Sequence, residues 1–167
     1  GSSQLFQLPL TGGEAVQVSD LPLDIDGYKL SNDGKQVVLS MRVFPECKDL
    51  ACSKDKFTAE AERKSTGREY KQLMVRHWDT WEDHARNHLF VGAVNGEKLI
   101  KVVDVTQGLD TETPPKPFSG MEEVTFTPDG KFVVYSAKAP SKDQAWTTNY
   151  DLWQVPVTGG TATNLTK

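Results

Sequence analysis

The chain has 167 residues, 37% hydrophobic and 25% charged, with a formal net charge of −4. That length suffices for one domain with a real core, and the acidic balance argues against a polyanionic partner such as nucleic acid. No window approaches the roughly 18 apolar residues of a membrane span, and no signal peptide is present.

Residues 1–4, beginning Gly1-Ser2-Ser3, read as a cloning scar, which leaves open a leader removed ahead of it. From Leu5 the pattern starts. LFQLPLTGGEAVQVSD, residues 5–20, alternates apolar and polar positions on both sides of a Gly-Gly turn, the signal of a two-residue hairpin. YKLSNDGKQVVLSMR, residues 28–42, turns instead at Asp33-Gly34 and continues into an apolar run, as a strand covered on both faces would.

The pattern breaks over residues 43–87. FPECKDLAC holds the chain's two cysteines, Cys47 and Cys52, at a spacing that permits a small disulfide loop. The other reading is a pair of reduced, half-buried thiols. A disulfide would place the protein in the periplasm or outside the cell. SKDKFTAEAERKS then reads as a helix, with Ser53 as its cap and Gly67 as its end. Arg76–Phe90, RHWDTWEDHARNHLF, follows, with two of the four tryptophans and all three histidines.

Three further units complete the chain. HLFVGAVNGEKLIKVVD, residues 88–104, is a hairpin with an Asn-Gly turn. EVTFTPDGKFVVYSAK, residues 123–138, repeats the earlier unit around Asp129-Gly130. DLWQVPVTGGTATNLTK, residues 151–167, repeats the Gly-Gly hairpin. One hairpin of each type makes a four-stranded antiparallel blade, so the chain reads as all-β: about two and a half blades of a β-propeller with a partly helical insertion. The Gly12–Asn95 and Asn95–Gly159 intervals both exceed the roughly 40–50 residues of one blade. The excess lies in the insertion, in Thr106–Phe118 with Pro114, Pro115 and Pro117, and in Ala139–Tyr150. A closed propeller needs at least about four blades. The chain is therefore expected to be a fragment, or an open stack that self-associates through bare sheet edges.

Chemistry concentrates in Arg76–Phe90. His84 and His88 have the spacing that puts two imidazoles on one helix face. A metalloprotease-type zinc site would set glutamate directly after the first histidine, where Ala85 stands, and His88 opens a strand pattern. Surface or turn histidines are the plainer reading, and no metal or cofactor is expected. Trp78 and Trp81 flank Asp79; they either seal the insertion against the blade or wall a ligand cavity. No GxSxG elbow, phosphate loop or activated thiol accompanies them.

The SNDGK and TPDGK strand pairs and the DLW…TGG…LTK hairpin resemble the propeller repeats of TolB-like proteins and of prolyl oligopeptidase-family serine peptidases. MRVFPECKDLACSK and REYKQLMVRHWDTWEDHARNHLFV resemble the N-terminal propeller of the secreted dipeptidyl peptidase and acylaminoacyl-peptidase-like branch of that family. The resemblance implies a periplasmic or secreted parent whose α/β-hydrolase domain, C-terminal to the propeller, holds the Ser-Asp-His triad. It also implies that the propeller restricts access to short peptides and holds their free α-amino group with acidic side chains. Alone, the chain is expected to be inactive. The substrate-binding candidates are Glu69, Arg76, Trp78, Asp79, Trp81 and Glu82. The alternative is a non-catalytic, TolB-like propeller module that binds a protein partner.

Overall fold

The computed structural model describes residues 2–70, 73, 75–116 and 118–167. Gly1, Lys71, Gln72, Met74 and Pro117 lie outside these. With them go parts of three sequence readings: the terminal scar, the stretch before the tryptophans and the proline-rich segment. Strands β1 (Phe6–Gln7) and β2 (Val16–Gln17) open the fold, followed by β3 (Ile25–Leu30) and β4 (Gln36–Val43). Helix α1 (Leu50–Glu62) and the hairpin β5 (Arg76–His77)–β6 (Thr80–Trp81) precede β7 (Arg86–Asn95) and β8 (Lys98–Asp104). The last strands are β9 (Val124–Phe126), β10 (Phe132–Ala137), β11 (Asp151–Pro156) and β12 (Thr163–Asn164).

Among the described residues these strands form four antiparallel sheets. Two are four-stranded, ordered β3-β4-β7-β8 and β12-β11-β10-β9; β1-β2 and β5-β6 are two-stranded. Each larger sheet runs up and down in chain order, as one hairpin of each type predicts.

The two inner turns are built alike. Gly34 N–H donates to Ser31 O and Gly130 N–H to Thr127 O, while Asp33 and Asp129 each accept the backbone N–H two residues on. Both glycines sit at positive φ, 69° and 68°, where a Cβ is penalised. The outer hairpins depart from the expected two-residue turns. The Asn95 turn centres one residue late, on Gly96-Glu97, because Asn95 pairs with Lys98. Gly12-Gly13 and Gly159-Gly160 lie inside wider loops, since pairing stops at Gln7↔Val16 and at Gln154↔Thr163. Ahead of β1, the Gln4 carboxamide spans Ser19, Leu21 and Leu23, donating to two carbonyls and accepting from Ser19 Oγ and Leu21 N–H.

Period-2 alternation sorts β4 between two cores. Val38 joins Leu89 and Val91 against Val124, Phe126, Val133 and Tyr135, so the two large sheets pack face to face. Val37, Leu39, Met41 and Val43 point the other way, toward Leu5, Leu21 and Phe57. β4 is thus covered on both faces, as its apolar run predicts. The β10 run is not: Phe132 and Val134 stay half-buried, and Leu152 beside them is 45% exposed. Among the described residues, that far face is covered only at Ser136, which is 8% exposed. The inner edges of the sheets also meet, where Lys29 Nζ donates to Val124 O and Gln36 Nε2 to Gly130 O.

The insertion leaves and returns at one point, since Val43 pairs with Arg86. A Cys47–Cys52 disulfide closes its first loop, with a Cα–Cα distance of 5.6 Å. Asp49, not Ser53, caps α1, accepting from Cys52 N–H. Ser53 is buried and accepts Phe44 N–H instead. The helix stops at Glu62 rather than near Gly67, because residues 63–69 are all exposed and bury no side to continue it. Cross-linking residues five apart removes little chain entropy, so reducing the disulfide should lower unfolding free energy by about 2 kcal/mol. Urea melts with and without reductant measure this. An unchanged midpoint, or two free thiols in unreduced protein, would count against the bridge.

Candidate functional site

The site forms at the root of the insertion, where β7 leaves it. Three consecutive residues, Arg86, Asn87 and His88, fix its walls. Arg86 Nη1 donates to Glu82 Oε2 at 2.7 Å and Nε to Asp110 Oδ1 at 3.0 Å, joining the insertion to the loop after β8. Burial disfavours the Arg86 charge, but Glu82, Asp110 and Glu112 outweigh it and hold its pKa above the ordinary value.

Asn87 ties down the same loop through its backbone. Its N–H donates to Glu112 Oε2 at 2.8 Å, and its carbonyl accepts both Thr113 N–H and Thr113 Oγ1 at 2.9 Å. His88 is 1% exposed, not at the surface or in a turn as its sequence context suggests. Its Nδ1 faces Asp104 Oδ2 at 2.8 Å and its Nε2 faces Leu109 O at 2.9 Å. Asp104 in turn accepts Thr106 N–H. This buried post sets the start of the loop that carries Glu112.

Two neighbouring clefts of about 540 and about 320 Å3 share a wall made of His77, Glu82, Glu112 and Lys116. Asp26, Arg42 and Asn87 line the larger one, whose rim carries Trp78, Asp79, Trp81 and Phe118. Two carboxylates are already committed: Glu82 to Arg86, and Asp83 to Arg42 at 2.5 Å. Asp26 has no ion pair among the described residues, and Glu112 reaches only Lys116, at 3.9 Å. Burial raises the Glu112 carboxyl above its ordinary pKa, against the pull of Lys116, the Asn87 N–H and Arg86. Asp26 is raised too, chiefly by desolvation and against the pull of Lys116 and Arg42, although the residue as a whole is exposed, so the effect of burial is weaker there than at Glu112. Asn87 Oδ1, an acceptor, and Arg42 Nε, a donor, are both buried in the wall of the larger cleft without a hydrogen-bond partner.

The larger cleft therefore carries more carboxylates (Asp26, Asp79, Glu82, Glu112) than side-chain cations (Arg42, Lys116). It suits a compact cation with several N–H groups. No three metal-ligating side chains converge among the described residues. His84 and His88 do not share a helix face: His84 sits in a bend at φ 67° and His88 points into the core.

Of the residues singled out in the sequence, Trp78, Asp79, Trp81 and Glu82 line the larger cleft. Arg76 does not; its guanidinium lies over the Trp81 ring, 5.6 Å from the centroid. Glu69 is exposed and lines neither cleft. Sequence reasoning misses Asp26, Asn87, Glu112 and Lys116. Glu112 stands in the proline-rich excess TETPP, a signal of a long loop but not of its chemistry, and nothing marks Asp26.

No family model matches the chain. Curated relatives do. Dipeptidyl-peptidase 5 of Porphyromonas endodontalis is 34% identical over 170 residues, an alignment that takes in the whole chain and 23% of that protein. The chain resembles one segment of these dipeptidyl peptidases. Dipeptidyl-peptidase 5 of Porphyromonas gingivalis is 30% identical over 146 residues, covering 86% of the chain and 20% of that protein. The Arthroderma otae protein of the same name is 30% identical over 155 residues, covering 88% and 21%. The chain thus spans only about a fifth to a quarter of the length of the relatives it matches. No helix among the described residues is long and apolar enough to cross a membrane.

Proposed function

We propose that the chain is part of the β-propeller of a periplasmic or secreted serine dipeptidyl peptidase, and that its larger cleft forms the propeller side of the peptide-binding pocket. The α-amino group of a short peptide enters between Asp26 and Glu112, with Asn87 Oδ1 as a third acceptor. Asp79 adds negative charge at the mouth. The pocket admits chain ends and excludes chain middles, because a backbone amide carries no positive charge to meet the two carboxylates.

The cleft carries this reading. Exposed Asp26, largely buried Glu112 with Lys116 3.9 Å away, and the buried, unpartnered Asn87 Oδ1 line one cleft, a set of acceptors that the amine of a peptide would satisfy. The relatives' name supports the peptide assignment. The up-and-down sheets with matching Asp-Gly turns, packed face to face, support the propeller. The disulfide agrees with an oxidising compartment.

Catalysis is assigned to a hydrolase domain beyond this chain, which contains no GxSxG elbow. The product of the complete gene should release dipeptides from unblocked peptides, spare their N-acetylated counterparts, and be labelled by a fluorophosphonate at a serine outside these 167 residues. Equal cleavage of blocked and unblocked peptides would contradict the role given to the cleft. Absence of both cleavage and labelling would contradict the peptidase.

A further inference from the structure

We propose that Trp78 and Phe118 form a seat for the side chain of a bound peptide's first residue, and that this seat favours large apolar side chains over small ones. The inference rests on reading the cleft as a peptide N-terminus site.

Trp78 is the first of the two turn residues of the β5–β6 hairpin, because His77 pairs with Thr80. Its φ is 55°, in the left-handed region that glycine and asparagine occupy readily and tryptophan does not. A hairpin turn that only had to close would be more stable with either of those residues. The strain instead displays an indole over the cleft. Such an outlier points to a role for the side chain it presents.

Phe118 meets it from the loop after β8. The rings stand edge to face, with centroids 5.5 Å apart. A pair that merely sealed the hairpin to the loop would bury its faces. Trp78 is 68% exposed and Phe118 78% exposed, so most of both rings remains open to an occupant. Both line the cleft that holds Asp26 and Glu112, and Met121 extends its apolar side. An ammonium held by those carboxylates is one bond from the Cα that bears the first side chain. Charge complementarity at the floor therefore fixes what reaches the rim, and only an apolar group recovers the exposed aromatic surface.

The test is calorimetric titration of the chain with Phe-Ala-amide and Gly-Ala-amide, repeated with Trp78→Gly and Phe118→Ala. Unaltered chain should bind the phenylalanine peptide about tenfold more tightly, the value of a partly buried aromatic side chain. In Trp78→Gly the preference should fall to about one while Tm stays level or rises, since glycine relieves the positive φ. Phe118→Ala, which leaves the turn untouched, should weaken the preference as well. If both variants keep the full preference, the seat lies elsewhere. Loss of preference in Trp78→Gly only together with a fall in Tm, with Phe118→Ala unaffected, would make the pair structural and overturn the proposal. N-acetyl-Phe-Ala-amide separates this inference from the reading beneath it. Equal binding of the acetylated peptide with a Trp78-dependent preference removes the amine site and leaves the seat. Amine-dependent binding without any side-chain preference does the reverse. No binding of any of the peptides removes both.

Discussion

His88→Ala is expected to be strongly destabilising, costing about 2–4 kcal/mol of unfolding free energy. The imidazole is 1% exposed, and its two ring nitrogens lie 2.8 Å from the Asp104 carboxylate and 2.9 Å from the Leu109 carbonyl. Alanine leaves both without that partner and opens a cavity between β7 and the loop after β8. A typical domain has only about 5–15 kcal/mol in hand. The loss should therefore move the urea midpoint far down and loosen the loop that positions Glu112. His84→Ala is the control. That histidine is exposed and should be close to neutral. Equal, small effects for the two would show that the His88 post does not hold the loop.

Glu112→Gln is expected to separate stability from binding. Burial raises the folded-state pKa of Glu112, and Asp26 behaves alike. The folded chain therefore holds these protons more tightly than the unfolded chain does. The resulting penalty is absent below the ordinary carboxylate pKa. It grows as pH rises toward the raised folded value and is constant above it. Glutamine removes the Glu112 share of that penalty while its carbonyl can still accept the Asn87 N–H. The variant should be more stable than the parent at neutral pH and no different in acid. Binding should move the other way. Losing a charge-assisted bond worth about 1.5–3 kcal/mol costs tenfold or more in affinity for a free-amine dipeptide. For the parent chain, affinity should climb as pH rises through the raised carboxylate values, then fall as the peptide amine deprotonates near about 8. Glu112→Gln should flatten the acid limb. A variant that binds undiminished, or that is less stable at neutral pH, would contradict the role given to Glu112.

The fold was legible wherever the deciding chemistry is local. Asp33-Gly34 and Asp129-Gly130 announce their turns because positive φ and an Asp-to-backbone bond are satisfied within five residues. The pattern breaks over residues 43–87, whereas strand pairing continues to Val43 and resumes at Arg86, because the last pairs, Val43 with Arg86 and Arg42 with Asn87, carry no alternation that marks them. The wide Gly-Gly loops were not legible, because strand length depends on which neighbours the flanking residues meet, not on the turn. Ser53 looked like a cap because capping residues are recognised by type, whereas Asp49 was four residues upstream and Phe44 claimed the serine hydroxyl.

The site was legible only on the insertion side. Trp78, Asp79, Trp81 and Glu82 sit together in the sequence, and four of the six candidates line the cleft. Asp26 and Glu112 come from a strand and a loop far apart in the chain. Glu112 is placed by an N–H of Asn87, 25 residues away, and no periodicity encodes such a bond. The burial of His88 was hidden for a related reason: its partners, Asp104 and Leu109, lie at the end of the next strand and in the loop after it.

The central claim is that Asp26, Glu112 and Asn87 receive a peptide's free amino group. The most direct test is an NMR titration of isotope-labelled chain with a dipeptide amide and with its N-acetylated form. Shifts centred on residues 26, 87 and 112 for the free amine, and none there for the acetylated peptide, are the result expected. The same shifts from both peptides, or shifts confined to surfaces away from the cleft, would contradict it.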